Sequence, residues 1–292
     1  MCRFHRKRDL RAGARSHVDR PARGFTLAEL LMAMMMTSMM SVVLGGLVLS
    51  VQTAWAHTTA MEDATMQARV AVDRIRYSIS HAGLYQLAGQ PTRVGLAVVS
   101  HQRSGDLFPD VLVVWSGGRE GGMAAAGVQT SLPRVSELII YAPVTDDPRQ
   151  LVEIAIPGDM SEIDFDDINF TTTILTLIDA PGAEHILLSE RIHASLMGGS
   201  GSTASDHWPN IRFAIDSMPS DDALASVTPG TLAWTMLPWS TGIAFSDSGM
   251  RQATIRMELQ MALRRREFVS GAVSPATCPF FGSASYRYAY RP

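Results

Sequence analysis

The side chains able to do chemistry are sparse, and their spacing speaks against catalysis. None of the eight histidines forms a pair at helical spacing, and the two cysteines, Cys2 and Cys278, stand at opposite ends, so a zinc site has no framework. No Gly-Lys-Ser/Thr phosphate loop or dinucleotide fingerprint is present. Gly199-Ser200-Gly201 lies in a Gly/Ser stretch, not on a strand-to-helix elbow. Two charge clusters remain. Asp159, Glu162, Asp164, Asp166 and Asp167 crowd carboxylates of the kind calcium favours, but the glycine and spacing of an EF-hand loop are missing, and a solvated acidic loop is the alternative. Arg264-Arg265-Arg266 follows an alternating apolar run, where it either clamps a partner's carboxylates or protects a sheet edge. The expectation is no enzyme, no cofactor and no metal.

One carboxylate is placed where its cost is high. From Phe25 to Val51 the only formally charged residue is Glu29. That run of about 27 residues makes roughly 40 Å of helix, enough to cross a bilayer core of about 30 Å with tilt. A carboxylate in hydrocarbon is expensive, so a partner is implied. Near a helix N-terminus it gains from the macrodipole, and an ammonium beside it offsets its desolvation.

Arg23-Gly24-Phe25-Thr26-Leu27-Ala28-Glu29-Leu30 resembles the prepilin processing motif of type IV pilins and type II secretion pseudopilins. The resemblance implies that a prepilin peptidase cuts between Gly24 and Phe25, that Phe25 becomes an N-methylated terminus, and that Glu29 neutralises the terminal ammonium of a neighbouring subunit during assembly. It implies an α+β, pilin-like fold: a long N-terminal membrane-spanning helix packed on a β-rich globular head. The segment Gln67–Arg76, followed by Ala82-Gly83, is similar to the stalk of J-type minor pseudopilins and W-type minor pilins. The partners implied are the peptidase, other pilin or pseudopilin subunits through the N-terminal helix, and the inner membrane, with the leader cytoplasmic and the head periplasmic.

Charge supports that orientation. Residues 1–24 hold eight Lys/Arg against Asp9 and Asp19, a balance of +6, so of the net −3 the remainder carries −9. A basic segment before an apolar helix stays cytoplasmic. An acidic mature chain lacks the clustered cations that nucleic-acid binding needs. With Cys2 removed, Cys278 stands alone and no intramolecular disulfide forms, which favours a minor pilin or pseudopilin over a major pilin.

The elements follow. Residues 1–24 form the leader, 25–83 the helix (membrane span 25–51, amphipathic stalk 52–83) and 84–292 the head. Met32, Met34, Met35, Met36, Met39 and Met40 read as adaptable apolar packing. Gly45-Gly46 is either a soft point of the helix or a place for close helix packing. Met61, Ala64, Ala68, Val72, Ile75 and Ile79 form one amphipathic face, Arg69 and Asp73 are spaced to pair, and Gly83 is the expected stop. Strands are expected at Arg93–Val99, Asp110–Trp115, Glu137–Ala142, Gln150–Ile156, Thr173–Ile178, His185–Leu188, Ile211–Ile215, Gly242–Ser246 and Gln252–Leu263. The last alternates apolar and polar residues most clearly. The tail, with Tyr286, Tyr288 and Tyr290, either adds an edge strand or stays loose. Gly117–Gly127 and Met197–Ser205 read as mobile small-residue loops. A rival reading is a secreted protein with a signal peptide cut after Ala56, in Ala54-Trp55-Ala56, although the apolar run far exceeds a signal core of 7–15 residues.

Overall fold

The computed structural model describes residues 24–103, 106–119, 121, 127–196, 207–263 and 277–292. The expectations for the leader, for Gly199-Ser200-Gly201 and for Arg264–Arg266 lie outside the described residues. The chain divides into two compact units, Met1–Trp55 and Ala56–Pro292. Helix α1 (Leu27–Ser80) supplies the described part of the first apart from Gly24, Phe25 and Thr26, and opens the second.

In the first unit every described residue from Gly24 to Trp55 is exposed. Its leucines, methionines and valines stand between 50% (Val48) and 78% (Leu27) accessible. Apolar surface left in water costs about 25 cal/mol per Å², so so greasy a helix belongs in apolar surroundings. It is long and apolar enough to cross a membrane, with a mean hydropathy of 1.9 over its best 18 residues.

In the second unit α1 turns amphipathic as its spacing predicts. Ala64, Ala68, Val72, Ile75 and Ile79 are buried, joined by Ala71 and Ser78, while Met61 is 47% exposed and drops out of the stripe. Asp73 pairs with Arg76, not with Arg69 as the spacing suggested. The helix ends at Ser80, three residues before the expected stop. Gly83 owes its identity to close approach rather than to a left-handed cap: a Cβ there would stand 2.6 Å from Trp115 Cε3.

The body is an α+β structure whose described strands pair antiparallel except for β1 with β5. Its strands are β1 (Leu84–Tyr85), β2 (Arg93–Val94), β3 (Leu96–Arg103), β4 (Asp106–Trp115), β5 (Val128–Gln129), β6 (Leu138–Pro143), β7 (Leu151–Ala155), β8 (Glu184–Ser189), β9 (Ala194–Leu196), β10 (His207–Pro209), β11 (Ile211–Met218), β12 (Gly249–Ala262) and β13 (Thr277–Tyr290). A five-stranded sheet runs β3-β4-β6-β7-β8 and a three-stranded one β11-β12-β13. Small sheets β2-β1-β5 and β10-β9 complete it.

Alternation sorts side chains between two cores. Leu112, Val114, Ile139 and Tyr141 join α1, Phe213, Ile255, Met257 and Leu259 in one. Val111, Val113, Trp115, Leu138 and Ile140 face the other. Helix α2 (Phe170–Ile178) covers that second face with Phe170, Ile174 and Ile178. A strand was expected at Thr173–Ile178; the apolar positions recur every four residues, and that period buries a helix. Gly242–Ser246 is not a strand either. A left-handed Thr241-Gly242 turn runs into it, and only Ala244 bridges, to Gly249. The tail is settled: β13 pairs with β12 over its whole length. Gly282 lets this strand meet α1, since a Cβ there would stand 2.8 Å from Val72 Cγ1.

Polar contacts hold α1 at one rotation. Arg74 donates a two-pronged hydrogen bond to Glu153 of β7, at 2.6 and 2.7 Å. Glu153 is buried, and the Tyr141 hydroxyl also donates to it at 3.2 Å while sharing a 2.6 Å bond with Ser78. Burial, then the nearby carboxylate, pushes the Tyr141 hydroxyl's pKa up, so it stays a donor. Gln67 accepts from the Ser189 hydroxyl, Asp63 accepts from Arg191, and Arg76 donates to the Ser283 carbonyl.

Replacing Arg74 by Met strands the Glu153 carboxylate and should lower stability by about 1–3 kcal/mol. Glu153→Gln should cost less, because Gln still accepts from Tyr141 and Arg74, 39% exposed, can reach water. Chemical denaturation of the full chain in detergent compares the two. A second prediction concerns acid. Burial holds the His193 imidazole below its ordinary pKa of 6.5, so the unfolded chain takes up the proton more readily. Stability should therefore fall as pH drops from about 7 to about 5, and His193→Gln should flatten part of that slope. The denaturation midpoint measured across this range checks it.

Candidate functional site

The residues singled out at the N-terminal end share one short piece of backbone. Gly24, Phe25 and Thr26 precede the helix in irregular conformation, and Phe25 is 83% exposed. The Gly24–Phe25 bond thus lies outside regular structure, where backbone fits a protease cleft most easily. Thr26 is the helix cap. Its hydroxyl accepts from the Glu29 amide at 3.3 Å, and Glu29 Oε2 accepts from the Thr26 amide and hydroxyl, each at 3.0 Å. The first helical bond runs from the Leu30 amide to the Thr26 carbonyl.

This is a capping box, in which Thr and Glu three residues apart satisfy each other's backbone donors. The Thr-x-x-Glu signal was present in the sequence, yet Thr26 was not assigned a role there. Both bonds to the carboxylate land on Oε2. Among the described residues nothing bonds Oε1, and no cationic side chain reaches Glu29. The site therefore offers a carboxylate, fixed by its own helix start, with an oxygen left for a cation from outside.

Farther along, α1 runs unbroken through Gly45-Gly46, and nothing lies within 4 Å of where a Cβ on either would stand. No packing among the described residues requires glycine at these two positions.

The acidic stretch does not converge. The Ser161 hydroxyl and amide hold the Asp159 carboxyl below its ordinary pKa, Asp164 accepts from the Asp166 amide, and Asp167 accepts from the Asn169 amide. Asp166 pairs with Arg93 at 3.1 Å, and Glu162 bridges Arg134 through its backbone. Among the described residues no three His, Cys, Asp or Glu gather as a metal site would need. Asp166 and Arg93 also line a cleft of about 560 Å³ with Asp221 and Arg251. Its two guanidiniums are matched there by carboxylates, Arg251 meeting Asp221 at 2.9 Å.

No protein-family profile, curated protein or solved structure matches the chain.

Thr26→Val should fray the first turn of α1 at a cost of about 1 kcal/mol, seen as faster amide exchange at Ala28 and Glu29 in micelles. Glu29→Gln should leave that exchange nearly unchanged, because Gln fills the same place in a capping box.

Proposed function

We propose that the chain is a structural, non-catalytic pilin-like subunit: a minor pilin or pseudopilin, processed between Gly24 and Phe25 and assembled into a type IV pilus or type II secretion pseudopilus. The observation that carries this reading is the coincidence at one place of an exposed, non-helical Gly24–Phe25 bond, a bare apolar helix, and a single charge, Glu29, presented at that helix's start. Prepilin peptidase removes the basic leader at the cytoplasmic face of the inner membrane, and Phe25 becomes the methylated terminus. Glu29 receives the ammonium of a neighbouring subunit on its outward oxygen. Methionines 32–40 pack against sibling helices in the filament, and the β-rich body stands outside the cytoplasm, at or near the filament tip.

A second reading has one observation in its favour. The compact unit begins at Ala56, so a signal-peptide cut after that residue would release nearly all of it. Against this, the Ala56–His57 bond lies inside α1, and the cut would remove the whole apolar segment.

Mass spectrometry of the mature N-terminus in the native membrane decides. N-methylated Phe25 is expected; a chain beginning at His57, or one with its leader intact, would sink the filament reading. Glu29→Gln should be cleaved normally yet enter filaments poorly, since it preserves the helix cap and removes only the charge. Normal assembly of that variant would remove the proposed ammonium pairing.

A further inference from the structure

The chain has two asparagines, Asn169 and Asn210, and the fold puts only one of them to structural use. Asn210 is built into the body. Its side-chain amide donates to Gln260 Oε1 at 2.8 Å, and its side-chain oxygen accepts from the Ser195 hydroxyl at 3.1 Å. Asn169 stands directly before α2, where an asparagine ordinarily caps the helix with its side-chain oxygen from an extended backbone. Its backbone is already in the helical region, and no side-chain cap bond forms. The carboxamide nitrogen donates to the Asp167 carboxylate at 3.3 Å, and the carboxamide oxygen meets no donor among the described residues. Capping therefore does not explain asparagine at this position.

Asn169-Phe170-Thr171 is an Asn-x-Thr sequence with no proline between, the signal at which oligosaccharide is attached to asparagine. Asn210-Ile211-Arg212 is not such a signal. Asp167, two places before the acceptor, gives the first its more restrictive acidic form, in which a cation of the transferase can hold the segment by charge-assisted bonds. So short a motif also arises by chance, and its surroundings decide. The acceptor must be reachable, and a sugar must have room once the body has folded. Ile168, 95% exposed, and Asn169, also exposed, lead into α2. Thr171 is exposed too, and its hydroxyl bonds nothing among the described residues. Phe170 alone of the signal is buried, stacked on Phe165 with ring centres 4.9 Å apart. The helix it opens covers the face of the five-stranded sheet opposite to the one that packs on α1. A sugar on Asn169 thus sits on the side of the body away from α1.

We propose that Asn169 is an N-glycosylation site. Its carboxamide nitrogen attacks the anomeric carbon of an oligosaccharide carried on a lipid diphosphate. The N–C bond forms as the C–O bond to the diphosphate breaks. The lipid diphosphate leaves with the electron pair, and a base of the transferase takes the amide proton. The Thr171 hydroxyl is the group by which the transferase recognises the acceptor. Because Phe170 belongs to the core, transfer precedes the docking of α2; afterwards the glycan remains outside and covers Ile168. The proposal rests on the reading above that the body stands outside the cytoplasm, and it adds a modification of that body.

The test uses the full-length chain purified from its own membranes. Mass spectrometry of the proteolytic peptide that contains Asn169 is expected to show sugar increments located on that residue. Asn169→Gln and Thr171→Ala should each remove the increment completely. Thr171→Ser should keep it, because serine offers the same hydroxyl, and Asp167→Ala should lower its occupancy several-fold. An unmodified Asn169 in the wild-type chain overturns the proposal, and so does an increment that survives Thr171→Ala.

The N-terminus determined on the same sample separates the two claims. Chains starting at Phe25 with a bare Asn169 remove the glycan and leave the filament reading. Glycosylated chains starting at His57 remove the filament reading and leave the glycan, since that cut also places the body outside the cytoplasm. Chains with an intact leader and a bare Asn169 remove both.

Discussion

The buried carboxylate of Glu153 decides which way α1 faces on the body. An ionised group held out of water needs a charged partner with directed donors, and the Arg74 guanidinium, meeting it at 2.6 and 2.7 Å, is that partner. Turning the helix by one residue, about 100°, would carry Arg74 away and leave the carboxylate buried without a cation. Apolar contacts alone are less selective, because the buried stripe contains three alanines that would slide past the sheet with little penalty. The rotation set by Glu153 sends Ala64, Ala68, Ile75 and Ile79 into the core between the two main sheets. By the same geometry it sends Met66, Val70 and Tyr77 outward.

The helix and the longest strand were legible in the sequence because periodicity there is long and unambiguous. The alternation of Ala253, Ile255, Met257, Leu259 and Met261 is buried as read, with Arg256 and Glu258 outside. Thr173–Ile178 failed for a physical reason. Six residues rich in Thr, Ile and Leu satisfy either period until Phe170, four residues before Ile174, is counted in, and the helical spacing then wins. The paired tail rests on a contact between residues far apart in sequence, since β13 closes on β12 across a stretch whose composition gives no register. Glu153 was also out of reach. A lone Glu in an apolar run reads as an outward position, and its partner Arg74 lies 79 residues away.

At the N-terminal end the sequence carried more than was taken from it. Glu29 stood out through its charge, whereas Thr26, which orients it, looked ordinary. The two form one local device in which the carboxylate satisfies a backbone donor that the first turn leaves open. A residue with this cap role has a reason to be acidic or amidic at that position even with no partner from outside. The cap alone therefore does not require a charge, and Gln would serve it as well.

The comparison between Glu29 and Glu153 then narrows the meaning of the first. Both carboxylates sit where apolar side chains dominate, and both are held by neutral donors. Glu153 also has a guanidinium from its own chain, whereas no cationic side chain among the described residues reaches Glu29. A carboxylate that enters hydrocarbon with only a threonine for company carries most of its desolvation cost uncompensated. In the proposed assembly, compensation from a second molecule makes this placement tolerable, and the terminal ammonium that the proposed cleavage would create, one residue ahead of the cap, is compact enough to lie against the outward oxygen. The capping geometry belongs to the single chain; in the proposed reading the charge serves assembly, and the two demands meet in one side chain because both act at the start of the same helix.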